Sequence, residues 1–367
     1  MTAFAAAQAF GDDPEPLAAE CASALGATFR FDFGFIYATA PLSRDFGAVV
    51  EALRRRTGIS SWCGTVGLGI CGTGRETFEQ PAISVLACGF GANACEVVAL
   101  TADGRLTGRP KERSPPAIGI VHGDPRTSTI TGMVSGLAQH TGTYLVGGLT
   151  STEDAFPQAA GASLVEGGVS GVLLDAKGVQ VSVGLTQGCS PIGPVRTVTE
   201  GEGQVIEQLD NRPAFEVLRD DAGGDSGGDP RRWLANVHAA LPVAGSDKGD
   251  YVVRNLAGID QERGLVAIGD EIAAGDRVMF VRRDRASAEA DLKRMLASLK
   301  ARTGGSVKAG LYFSCLARGP NLFHEPSFEA RAIQAAFGDI PLAGFFGNGE
   351  IAHDRLYGYT GVLTLFS

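Results

Sequence analysis

The residues able to do chemistry sit in two short runs, Ser314-Cys315-Leu316-Ala317-Arg318-Gly319 and Gly347-Asn348-Gly349-Glu350-Ile351. Arg318 offers a planar guanidinium fork that matches a carboxylate. Asn348 and Glu350 are polar groups in an otherwise apolar, glycine-rich turn. Cys315 stands where an apolar strand should end. If both runs cap adjacent parallel strands, Arg318, Asn348 and Glu350 meet at the strand carboxyl ends, where open α/β sheets bind ligands. The expected ligand-binding set is Cys315, Arg318, Gly319, Gly347, Asn348, Gly349 and Glu350. Such a set can hold an amino acid, with Arg318 for its carboxylate and Glu350 for its ammonium group. An Arg318–Glu350 ion pair that only closes the fold explains the same residues equally well. A nucleophilic Cys315 would need a base, and the sequence offers only His324 nearby.

These runs must be held by strands, and repeated glycines show where the strands lie. Gly64-Thr65-Val66-Gly67-Leu68-Gly69 and Gly344-Phe345-Phe346-Gly347-Asn348-Gly349 both read G-x-x-G-x-G after an apolar run. Upstream, residues 34–40 parallel 310–317, and helical patterns follow at 46–56 and 328–337. A looser third copy has a strand at 117–123, a helix at 129–140 and a glycine-ended strand at 144–150. The repeated unit is strand, loop, helix, strand, glycine turn. The spacing predicts a fold between α/β and α+β, with mixed sheets flanked by helices and two domains. The uneven period excludes a solenoid.

Residues 1–30 read as a helical lead-in, with an amphipathic helix over 3–27. A first domain spans 31–210, and a second spans 211–367 with a flexible Gly/Asp loop at 220–230. Segments 81–89 and 96–101 read as strands returning across one sheet, and the polar stretch 109–116 reads as a connection. The apolar runs 171–174 and 179–185, with a four-residue loop between them, predict a hairpin. Pro213 opens a helix expected to end before Asp220. Strands follow over 251–253, 265–268 and 277–281, then a helix over 286–301.

The bulk composition narrows the function. The 367 residues are 44% hydrophobic and 20% charged, as in ordinary globular proteins. A net charge of −9 argues against a nucleic-acid surface. No apolar run approaches ~18 residues, so no membrane insertion is expected. The first ten residues lack a basic leader pattern, and a cytoplasmic location follows. Seven cysteines form no C-x-x-C pair and read as buried thiols in a reducing compartment. There is no G-x-x-x-x-G-K-[ST] loop. The G-x-G-x-x-G that starts at Gly67 is not followed by a convincing helix, against dinucleotide binding. The five histidines show no metal spacing, so neither metal ligands nor catalytic residues are assigned. No cofactor is expected, although a single-histidine haem ligand stays open.

The run from Gly344 to Ile351 resembles the "GF…GEI" signature of the FIST C domain, and residues 309–319 resemble the element that precedes it. The same C-terminal run also resembles its counterpart in F-box proteins that carry this domain pair. Residues 184–194 with Val198-Thr199-Glu200 look like the end of a FIST N domain, and Asp210-Asn211-Arg212-Pro213-Ala214 resembles the junction between the two. The first glycine turn departs from the family: Cys71-Gly72-Thr73-Gly74 stands where many members have an acidic ending. The resemblance implies an intracellular sensory module that binds a small ligand such as an amino acid; a haem- or redox-sensing protein or a Cys315-dependent enzyme is the alternative. Haem-based sensing occurs in some members. Signalling is then expected through a separate partner protein.

Overall fold

In the computed structural model, residues 3–26, 29–91, 93–108, 117–175, 180–224, 229–243 and 251–367 are described. They divide into two bodies, Met1–Thr186 with Leu292–Ser367, and Gln187–Asp291. The larger body contains all three expected repeats. Strands Phe33–Thr39 and Trp62–Gly67 run parallel around helix Phe46–Thr57. Ala117–Gly123 and Tyr144–Leu149 do so around helix Ile130–Thr141. Ala309–Cys315 and Leu342–Gly347 do so around helix Phe328–Phe337. Parallel strands need a crossover, and each helix supplies one by burying its apolar face. Gly58 and Gly142 end the first two helices in the left-handed conformation that glycine adopts without a Cβ clash. The basic run Arg54-Arg55-Arg56 closes the first helix and pairs with Glu51 and Glu15.

Each parallel pair lies in its own sheet, and the three sheets share one order. An antiparallel strand covers each leading strand: Ala82–Gly89 in the first repeat, Val169–Asp175 in the second, Thr360–Phe366 in the third. The other edge is covered by an arm from a different repeat. Gly69–Gly72, which follows the first repeat, pairs with Leu342–Gly347 of the third. Glu350–His353, which follows the third, pairs with Tyr144–Leu149 of the second. Gln158–Gly161, which follows the second, pairs with Trp62–Gly67 of the first. The exchange closes on itself.

One register position recurs in all three repeats. Gly64 faces Ile36, Gly147 faces Val121, and Gly344 faces Tyr312. A Cβ on these glycines would lie 1.6, 1.8 and 1.8 Å from the carbonyl oxygen of the facing residue. The next residues along the leading strands are Tyr37, His122 and Phe313, and they meet. Tyr37 Oη lies 3.2 Å from His122 Nε2, and Phe345 stacks on Tyr37 at 5.2 Å. His122 and Tyr37 each lie edge-on to Phe313. His122 is fully buried, and burial pushes its pKa down to about 3.

Several local expectations change. The helical lead-in is a strand, Ala3–Phe10, followed by helix Pro14–Leu25 capped by Asp13. The alanine-rich segment yields its helix preference to eight paired positions along Ala82–Gly89. That pairing fills the edge on which 96–101 was expected to return. Cys95–Leu100 instead lies in the second sheet, on Val169–Asp175. The predicted hairpin is absent for the same reason. Both edges of Val169–Asp175 are occupied, and Val181–Gln187 joins the third sheet. The helix after Pro213 runs Ala214–Ala222, through the start of the expected flexible loop. Residues 225–228 of that loop, the connection 109–116 and residues 176–179 lie outside the described residues. The smaller body is an antiparallel sheet with this helix over a core that includes Val198, Leu218, Val266 and Phe280.

Gly64→Ala should cost about 3 kcal/mol or more, because the obstruction is backbone and not a movable side chain. Gly132, in helix Ile130–Thr141 with open space around its Cβ position, is the control. Gly132→Ala should gain about 0.5–1 kcal/mol. Urea denaturation of both variants checks the pair.

Candidate functional site

The third repeat carries the polar chemistry. Tyr312 and Ser314 lie on strand Ala309–Cys315, and the chain turns sharply after it, with Arg318 N–H donating to Cys315 O at 2.8 Å. This turn folds Arg318 back under the sheet, where its side chain is 1% exposed. Its partner is Glu329, in the first turn of helix Phe328–Phe337. Arg318 Nε and Nη2 donate to Glu329 Oε1 at 2.9 and 2.8 Å. Tyr312 Oη adds a 2.6 Å bond, and Ser314 Oγ and Gly319 N–H each donate at 3.1 Å. Five donors therefore converge on one buried carboxylate, which is how a protein can keep such a group away from water.

Glu76, on strand Arg75–Phe78, fixes the start of the same helix. Its Oε1 accepts the Glu329 and Ala330 N–H groups, both at 2.9 Å. Its own N–H donates to Ser327 Oγ at 3.0 Å. The second carboxyl oxygen, Oε2, is buried without a hydrogen-bond partner. Burial first, and then the neighbouring Glu329 charge, push the Glu76 pKa up to about 8. Glu350 is similar. Its Oε2 accepts Thr360 N–H at 3.2 Å and Thr360 Oγ1 at 2.7 Å, while Oε1 has no partner. Burial pushes Glu350 up to about 8 as well. Arg318 Nη1 is a third buried atom without a partner.

A cavity of about 340 Å³ opens beside Glu76. Phe78, Pro320, His324, Pro326 and Ser327 are among its walls. Gly319 backs this wall: a Cβ there would touch the Phe346 and Phe78 rings, which pack 4.6 Å apart.

The residues expected from sequence are placed as follows. Arg318 forms its ion pair with Glu329, so the expected Arg318–Glu350 pair gives way to a partner on the following helix. Cys315 is buried and its thiol is pushed well up by burial, which keeps it protonated and unreactive. His324 is exposed at the cavity wall. Gly347 O accepts Leu316 N–H at 2.9 Å. Asn348 is exposed; its N–H donates to Leu149 O at 3.0 Å, and Leu149 N–H donates to Gly349 O at 2.9 Å. The Gly347–Gly349 turn therefore hooks the third repeat onto the second. Sequence reasoning passed over Glu76 and Glu329. Glu329 could have been noticed as an acid in the first turn of an otherwise apolar helix. Glu76 reaches its partners across some 250 residues, a separation that no local pattern reports.

Comparison with known proteins agrees with this architecture. A FIST N domain model matches residues 32–212 and a FIST C domain model matches residues 214–353. The chain belongs to the FIST family, whose domains are sensory domains. An uncharacterized protein of Mycobacterium tuberculosis is 35% identical over 194 residues, 50% of this chain and 50% of its own length. An uncharacterized protein of Mycobacterium bovis is 34% identical over 208 residues, 54% of this chain and 53% of its own. The matches thus span about half the length of these relatives. The family boundary does not follow the compact bodies: the first two repeats fall under the FIST N match, and the third falls under FIST C.

Removing Arg318 strands a buried carboxylate, so Arg318→Ala should cost about 3–5 kcal/mol in a urea titration. Arg318→Lys should recover only part of this, because an ammonium group cannot reproduce the two-pronged bond. The Glu350 pKa lies above its unfolded value of 4.5, so the folded state holds a proton that the unfolded chain releases. Stability should therefore fall as pH rises from about 4.5 to about 8. Glu350→Gln should flatten that decline in melting curves across this range.

Proposed function

We propose that this protein is a sensory protein that binds a small polar ligand, of the amino-acid class, beside the carboxyl ends of strands Ala309–Cys315 and Leu342–Gly347. One observation carries this reading: a ligand-sized cavity whose wall includes a buried, hydrogen-bonded carboxyl with one oxygen still unused. Binding pockets typically combine apolar walls with a few fixed polar groups. Here the fixing is thorough, because Glu76 holds the helix that Glu329 and Arg318 hold from behind. Of the seven ligand-binding residues expected from sequence none lines the cavity; Gly319 backs its wall and Arg318 braces Glu329 behind it.

A sensor must also transmit. The helix Phe328–Phe337 begins at the cavity, since Ser327 lines it and Glu329 accepts from the strand behind. A ligand at Glu76 therefore acts on the helix start, and a partner protein in trans reads the result. An intracellular setting fits the seven cysteines, none of which is disulfide-bonded. Among the described residues, no helix is long and apolar enough to cross a membrane.

A thermal-shift screen against the common amino acids, preceded by an absorption spectrum, tests the reading. A ligand at a hundredfold over its dissociation constant should add about 2.7 kcal/mol of stability. The expected result is a shift for one chemical class and no haem band. A featureless screen, or a Soret band with uptake of haem, would overturn the proposal.

A further inference from the structure

We infer that Glu76 is the group that reads the ligand's ammonium, and that the cavity takes a small protonated amine whether or not it carries a carboxylate. The inference rests on the sensory reading above and specifies its chemistry. Glu76 is 9% exposed and lies on the cavity wall. One of its oxygens is saturated by two helix N–H groups and the other has no partner. A carboxyl held this firmly on a cavity wall, with a buried acceptor that no protein group uses, calls for a donor that the protein itself does not supply.

The charges around it choose the donor. Behind the wall Arg318 and Glu329 form an ion pair, and burial keeps Glu76, on the wall, and Glu350 protonated while the cavity is empty. Arg318 spends two of its nitrogens on Glu329. The charges behind the wall therefore balance, and Arg318 does not line the cavity, so an entering carboxylate meets no free fork there. Glu325, also on the cavity wall, is ion-paired with Arg331, and His324 lies beside it. A cation is favoured, and the walls describe its body. Phe78, Pro320 and Pro326 are apolar and suit an alkyl or aryl body. A hydrated metal ion has no use for such walls, whereas an alkyl or aryl amine does. With the cavity empty, burial keeps a proton on Glu76. An arriving ammonium makes the carboxylate form favourable, so that proton leaves for the buffer.

Isothermal titration of the full chain tests the inference with two matched probe sets. One is isopentylamine, leucine and isovalerate; the other is phenethylamine, phenylalanine and phenylpropionate. The amine should bind at least as tightly as its amino acid, and the carboxylic acid should not bind. Glu76→Gln keeps a carbonyl oxygen for the helix N–H groups and should weaken the amine at least about tenfold. Titrations in buffers of different ionisation enthalpy should show proton release in the wild type and none in Glu76→Gln. Pro326→Trp, at an exposed wall position, covers the case in which Glu76→Gln does not fold; it should block amine binding while the melting temperature stays unchanged. An amino acid that outbinds its amine and survives Glu76→Gln would overturn this inference and leave the sensory reading standing. Calcium or magnesium binding that is lost in Glu76→Gln, with no amine binding, would overturn it as well. Failure of every amine and amino acid against folded wild-type protein would remove both.

Discussion

A parallel pair of strands always leaves an open edge, and in this protein no repeat covers its own. The second strand of each βαβ unit would expose a row of unpaired N–H and C=O groups. The segment that follows it pairs instead with a different repeat, first on third, third on second and second on first, in a closed ring of three exchanges. The arms of the first and third repeats leave directly from the strand they fail to cover, and that of the second follows after residues 150–157. This also explains why the larger compact body draws on both FIST N and FIST C segments. The glycines at 64, 147 and 344 belong to the same constraint. They let the paired strands approach where the three leading strands bring Tyr37, His122 and Phe313 together.

The third repeat departs from the other two in charge. Where the first two leading strands bring Tyr37 and His122 to the centre, the third brings Phe313, and its polar groups lie on either side of that position. Tyr312 and Ser314 both donate to Glu329. The buried ion pair is weak evidence for extra stability, because desolvating two charges offsets most of their attraction. Its clearer effect is geometric: it locks the turn after Cys315 against the start of the next helix, and Glu76 locks that start from the other side. The cavity beside it thus meets a braced helix start and a Glu76 oxygen without a hydrogen-bond partner.

How much of this was legible depends on whether a signal was local. The three repeats could be read because glycine spacing and helical periodicity are properties of neighbouring residues, and each predicted helix and strand pair is present. Ala3–Phe10 could not, because an alanine-rich run looks helical until a partner strand is known. The supposed hairpin at 171–185 failed on occupancy: two apolar runs joined by a short loop pair only if an edge is free. Among the site residues, Arg318 was visible as a charge in an apolar context. Glu350, the conspicuous acid in the glycine turn, offered either an ion pair or a shared ligand site with it, whereas the acid that pairs with it is Glu329, in the first turn of helix Phe328–Phe337.

The sequence by itself determined the repeating units: the strand pairs and helices of the three repeats, where their glycine turns fall, and that Cys315, Arg318 and Glu350 cluster around the last repeat. Those follow from conformational preference and periodicity, which act over a few residues. The tertiary structure alone decided the partners. It set which arm covers which edge, which carboxyl meets Arg318, and that Glu76 would reach the start of a helix 253 positions away. Edge pairing and the neutralisation of buried charge depend on what lies alongside in space, and the order of residues along the chain does not specify that directly.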